Sequence, residues 1–150
     1  TLLIGKLLPY YLLNLVQIGL MFTVGAVLFG IHMGQLHALV LVSLALAACA
    51  NGLGLMVAAL GRTEAQIGAL GVFFAVILSA LGGMMVPTFV MPEIMKTFSL
   101  LTPHAWALSG YHDVMLRGLG LPDVWKETAV LLGFAAFFFL IALWRFRFTD

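Results

Sequence analysis

Ser109-Gly110-Tyr111-His112-Asp113 puts a hydroxyl, an imidazole and a carboxylate within one short stretch, the groups that nucleophilic hydrolysis needs. Their spacing does not suit it. On one helix Ser109 and His112 approach each other, but Asp113 is rotated roughly 100° from His112. A hydrolase working inside a membrane would hold such groups on separate segments. Four histidines raise the question of a metal: His32 and His37 flank one break in the chain, and His104 and His112 lie eight apart farther on. Neither spacing is the i, i+4 pair of a helical zinc site. The single cysteine, Cys49, makes neither a disulfide framework nor a thiolate cluster. No phosphate-cradling Walker motif is present. The chain therefore reads as a non-enzyme, with no metal and no cofactor.

A second set of polar residues lies inside apolar runs. Asn14 and Gln17 are three apart on one helical face, and Asn51 stands beside Gly52 and Gly54. Polar groups there either line a substrate path or a subunit seam, or tie helices together by hydrogen bonds of about 0.6 kcal/mol each. The residues allow both readings. Met84, Met85, Met91 and Met95 form a third set, either flexible thioethers for apolar substrates or ordinary packing.

The elements that carry these residues follow from composition. Of the 150 residues 63% are hydrophobic and only 9% charged, and mean hydropathy is +1.15. A soluble domain is roughly 25% charged. Seven basic and six acidic side chains cannot clothe a water-facing surface of this size, so the apolar excess belongs in lipid. A net charge of +1 gives no basic field for phosphates and excludes nucleic-acid binding.

Charges are absent from Leu7–Gly61, Ala65–Pro92 and Thr128–Trp144. A membrane helix needs about 20 apolar residues. The first run is broken at Gly30-Ile31-His32-Met33-Gly34-Gln35, so four spans are expected, at about 8–31, 37–60, 67–89 and 124–144. Pro9 is expected in the first helical turn, where its missing N–H costs nothing. Trp125 and the Trp144-Arg145-Phe146-Arg147-Phe148 end of the last span suit the interfaces. No span is expected to bury an acid or base, which argues against proton coupling and for an external energy source. The N-terminal run shows no basic leader and no small-residue cleavage site. Lys6, Arg62, Arg145 and Arg147 share one side of a four-span arrangement. The positive-inside rule makes that side cytoplasmic, with both termini there and 90–127 outside.

Residues 90–123 are too long for a plain loop. Ile94, Met95, Phe98 and Leu101 recur at helical spacing, as do Leu108, Tyr111, Met115 and Leu119. Asp113 and Arg117 are placed to pair. Two segments this short and polar cannot span, so a re-entrant or interfacial hairpin over about 92–120 is expected. It would fold beside the outer ends of the third and fourth spans, with Trp106 anchored at headgroup level. Pro87, Pro92 and Pro103 punctuate it, and Gly82-Gly83 is the hinge candidate before it. The other small residues, among them Gly25, Ala47, Ala48, Ala50, Gly68 and Gly71, read as close-packing positions. The fold class is an all-α, polytopic membrane helical bundle of four spans plus this hairpin, in one transmembrane unit.

Several motifs occur in order: Gly5-Lys6-Leu7-Leu8-Pro9-Tyr10; Gly52-Leu53-Gly54-Leu55; Gly61-Arg62-Thr63-Glu64-Ala65-Gln66; Gly82-Gly83-Met84-Met85-Val86-Pro87 with Met91-Pro92; and Leu101-Thr102-Pro103-His104-Ala105-Trp106. Together they resemble the C-terminal part of type-2 ABC-transporter permeases, the membrane subunits of bacterial ABC exporters, over essentially the whole chain. The resemblance implies the third to sixth helices of a six-helix half-transporter in a bacterial inner membrane. It implies a cytoplasmic ABC ATPase partner, a cytoplasmic loop at Arg62, Thr63 and Glu64, a second permease copy or homologue, and surrounding membrane lipid. The family's first two helices and coupling helix have no counterpart here, so this stretch alone is not expected to transport. Where the family has Leu-Ser-Gly, this chain has Leu81-Gly82-Gly83. The rival expectations are an intramembrane enzyme and a structural subunit.

Overall fold

The computed structural model describes residues 2–147, with side chains described for 4–146. Phe148 and the side chain of Arg147, which figure in the reading of the last span above, lie outside those limits. The described residues form helices α1 (Leu2–Phe29), α2 (Leu36–Leu60), α3 (Glu64–Leu81), α4 (Glu93–Ser99), α5 (Pro103–Met115) and α6 (Trp125–Arg147), with 3-10 turns at Thr88–Val90 and Leu121–Asp123. α1, α2, α3 and α6 are long and apolar enough to cross a membrane. The chain is an all-helical polytopic bundle.

α2 is the hub. Ala38, Leu39, Val42 and Ala45 on α2 bury against Ala107 and Val114 of α5, and against Val124 and Leu131 at the start of α6. Farther along, Cys49 and Met56 pack on Phe138 and Ala142 of α6. Gly52 permits the approach: a Cβ there would lie 2.9 Å from the Ala135 carbonyl. In lipid this packing is held by dispersion and close fit, because hydrocarbon is no worse a solvent for Leu than protein is. α3 buries no residue in its apolar window and α1 buries 6% of its own, against 44% for α2. Both outer helices thus offer most of their surface to surroundings other than this chain.

The helix ends show local physics. Pro9 falls inside α1, a full turn or more from its start, so the expected first-turn placement is overturned. The helix extends ahead of Pro9 because Leu2, Leu3, Lys6, Leu7 and Leu8 are good helix formers, which outweigh Gly5. Membrane helices tolerate an internal proline when neighbours serve the freed backbone groups. Thr63 caps α3, accepting from Gln66 N–H at 3.2 Å, and Gln66 Oε1 accepts from Arg62 N–H at 2.8 Å. α3 stops at Leu81, short of the expected 89. Gly83 takes φ +88° and Met84 N–H returns to the Ser79 carbonyl at 3.0 Å, a Schellman-type closure that ends the helix.

α4 and α5 make the folded-back hairpin. At about 1.5 Å per residue, α5 is roughly 20 Å long, short of the ~30 Å hydrocarbon layer. α4 rests on α3, while α5 packs on α2, α6 and α3. The hairpin therefore sits among three spans, α2 included, rather than beside the third and fourth alone. The Ile94, Met95, Phe98 and Leu101 stripe of the sequence points outward and is exposed.

Candidate functional site

Three side chains join α1 to α2. Asn14 Nδ2 donates to Asn51 Oδ1 at 2.7 Å, and Asn51 Nδ2 donates to the Leu7 carbonyl at 3.3 Å. One turn before Asn14, the Tyr11 hydroxyl donates to the Leu44 carbonyl at 3.0 Å. Asn14 and Asn51 are half-buried. Clefts of about 400 and 420 Å³ open on either side of this seam. The first lies between α1, α2 and α6, with Leu7, Tyr11, Gly52 and Phe139 in its wall; the second lies between α1 and α2 alone.

The hairpin is fixed from inside and outside. Thr102 is buried and caps α5, accepting from Ala105 N–H at 3.4 Å, with Pro103 buried at the first helical position. Thr102 Oγ1 itself donates to the Ser99 carbonyl at 2.7 Å, locking the elbow. Trp106 Nε1 donates to the Leu100 carbonyl at 2.8 Å. Lys126 Nζ lies 5.6 Å from the Trp106 ring centroid, within cation–π range. The indole N–H expected at the headgroups is thus bonded inside the hairpin. Asp113 and Arg117 pair at 3.1 Å, with Arg117 largely exposed.

Besides the packing of Ala107 and Val114 on α2 and α6, specific contacts tie both ends of the hairpin to the spans. At its elbow, Gly82 lies against the Cβ of His104, where no added Cβ would fit. At its other end, Tyr111 OH and Ser43 Oγ of α2 share a hydrogen bond of 3.0 Å, and the Tyr111 ring meets Phe22 of α1 at 5.3 Å. Gly34, at φ +64°, presses on the Val114 carbonyl. So α5 bridges the C-terminal end of α3 to the ends of α1 and α2 that residues 30–35 connect. Burial holds the His104 imidazole below the usual histidine value, and its Nδ1 is buried without a partner. Burial pushes the Tyr111 phenol up, opposed by its bond to Ser43.

Glu127 overturns the expectation that no span buries an acid. It stands in the first turn of α6 at 8% exposure, with Oε2 unpartnered. Its Cβ sits 3.4 Å from the point a Cβ on Gly110 would occupy, so the absence of that Cβ makes room for it.

The residues singled out in the sequence separate in space. Asn14 and Asn51 meet; Gln17 is exposed and bonds to neither. Met91 is buried, while Met84 and Met85 are more than half exposed, so the methionines form no single cluster. Pro87 and Pro92 are exposed, and Pro103 is buried. Among the described residues no three His, Cys, Asp or Glu side chains come together to hold a metal. Tyr11, Ser43, Tyr111 and Thr102 carry bonds that sequence reading did not assign. The helical stripe through Tyr111 was visible, but a lone serine in an apolar run gave no sign of its partner.

A family model for the ABC-2 type transporter matches residues 1–116. The chain is 33% identical over 144 residues to the linearmycin resistance permease protein LnrN of Bacillus subtilis, covering 95% of this chain and 37% of that protein. It is 29% identical over 99 residues to the inner membrane transport permease YhhJ of Escherichia coli, covering 66% of this chain and 26% of that one. ABC transporter G family member 20 of Dictyostelium discoideum is 30% identical over 144 residues, 93% of this chain and 20% of its own length. The chain thus spans little more than a third of the longest-covered of these relatives. No solved structure matches it significantly.

Proposed function

The chain belongs to the ABC-2 type transporter family, and we propose that it forms the substrate path of an ATP-driven exporter, by alternating access with a partner ATPase. Multi-pass membrane helices and permease relatives make it a membrane transporter subunit. The observation that carries the finer reading is α5. It is too short to span, yet it lies among α2, α3 and α6, where it can cover one mouth of the bundle. Nucleotide binding and hydrolysis in the ATPase shift two membrane states, and unequal substrate affinity in the two gives direction. A relative named for resistance supports outward transport.

In this reading the ATPase lies on the cytoplasmic side, the side of the loop carrying Arg62, Thr63 and Glu64. A second copy or homologue faces the open surfaces of α1 and α3, and the remaining surface meets lipid of a bacterial inner membrane. Asn14, Gln17, Asn51, Met84 and Met85 border the path. Gly82, Gly83, Pro87, Pro92, Pro103 and Trp106 belong to the outer gate. Both termini are cytoplasmic.

The test is efflux from cells co-expressing the full-length protein and its ATPase. Export is expected to stop when the ATPase carries a disabled phosphate-binding lysine. Export that continues sinks the ATP-driven reading. Cysteines placed at Gln35 and Asp123 are expected to label from outside and one at Thr63 only from inside; the reverse pattern overturns the orientation.

A further inference from the structure

Tyr10, Asn14 and Gln17 fall on one face of α1, at i, i+4 and i+7. Between this face and α2 lies the cleft of about 420 Å³, walled by Tyr10, Leu13, Asn14, Asn51, Gly54 and Ala58 among others. Its size is that of a small-molecule site. Gly54 has nothing within 4 Å of where a Cβ would stand, so the cleft is open on the α2 side.

The polar groups at the cleft are only partly used. Asn14 donates one N–H to Asn51, and Asn51 donates one to the Leu7 carbonyl. Among the described residues no donor reaches Asn14 Oδ1 and nothing bonds the Tyr10 hydroxyl. Asn14 lies near the middle of α1, where hydrocarbon supplies no donor and an unmet amide oxygen is costly. No acid or base lines the cleft. A charged ligand would lose its hydration there with nothing to replace it, whereas a hydroxyl would meet an acceptor and an apolar chain would meet leucine and alanine.

We propose that the α1–α2 cleft binds a neutral amphiphile, with its hydroxyl donating to Asn14 Oδ1 and its chain lying along Leu7, Leu13 and Ala58. The ligand is cargo, and in that respect the inference rests on the permease reading. The unused Asn14 acceptor selects against plain hydrocarbon, and the absence of charge selects against zwitterionic and anionic headgroups.

The experiment uses the full-length protein with its ATPase in vesicles and a monoacylglycerol carrying a diazirine in its chain. Photolabel mapped by mass spectrometry is expected on residues 7–14 and 50–58. Asn14→Leu is expected to reduce it at least fivefold while leaving labelling by a diazirine alkane of equal length unchanged. Gly54→Leu fills the cleft without touching either amide and is expected to reduce both labels. ATP is expected to lower the monoacylglycerol label as cargo leaves. No labelling of these segments, equal labelling by the alkane, or no effect of Asn14→Leu overturns the site. Labelling indifferent to ATP marks a resident lipid and overturns the cargo assignment. If labelling behaves as expected but ATP-driven efflux fails, the permease reading falls and the binding site stands.

Discussion

Asn14 on α1 and Asn51 on α2 are joined amide to amide at 2.7 Å, and Asn51 holds the Leu7 carbonyl at 3.3 Å with its own amide nitrogen. Asn51 is therefore the central member, because its loss breaks two bonds and strands Asn14. Replacing Asn51 by Leu is expected to destabilise the folded protein by about 1–2 kcal/mol, and Asn14→Leu by less. A double-mutant cycle of unfolding in detergent is expected to give a coupling near 0.6 kcal/mol. Strict additivity would show that the pair contributes nothing to the α1–α2 seam.

Gly34 and Gly118 have nearly the same backbone, φ +64° and +67°, in different surroundings. A Cβ on Gly34 would run into the Val114 carbonyl, while Gly118 has open space. Gly118→Ala is expected to cost about 1–2 kcal/mol of left-handed strain. Gly34→Ala is expected to cost clearly more and to loosen α5 from the α1–α2 loop. Comparison of the two thermal midpoints checks this; equal midpoints would place the loop away from α5.

The His104 imidazole is held below its ordinary value by burial. The unfolded chain therefore takes up a proton near pH 6.5 that the folded chain refuses until lower pH. Stability is expected to fall as pH drops below about 6.5. His104→Gln is expected to remove that part of the dependence. Midpoints of wild type and variant measured between pH 5 and 8 give the answer; parallel curves would rule out a role for His104.

Pro103 starts α5, and Trp106 closes the hairpin onto Leu100. Pro103→Ala and Trp106→Ala are each expected to lower efflux severalfold while leaving membrane insertion and ATPase binding intact, because the ATPase contact lies across the membrane in the proposed arrangement. Unchanged efflux would mean that the hairpin does not govern exit. Loss of ATPase binding would mean that the hairpin and the loop around Arg62 are not on opposite sides.

Much of this architecture was legible in the chain itself. Lipid selects apolar runs by length, so uncharged stretches and the break at Gly30–Gln35 located α1, α2, α3 and α6 without knowledge of any contact. The prolines and glycines of 82–103 likewise marked a hairpin, because they act on the backbone in place. Pairing was not legible. Asn14 and Gln17 are equivalent in sequence, yet only Asn14 meets Asn51; Met91 is buried and Met84 is not. Glu127 read as a charge of the outer stretch and proved buried against the Gly110 gap. Those outcomes depend on which helix stands opposite at which height, and in a bundle almost uniformly apolar on every face, hydropathy carries no trace of that. Close packing around Gly52, Gly82 and Gly110 set the heights and rotations, and so only the tertiary structure decided which polar atoms are satisfied and which face a cleft.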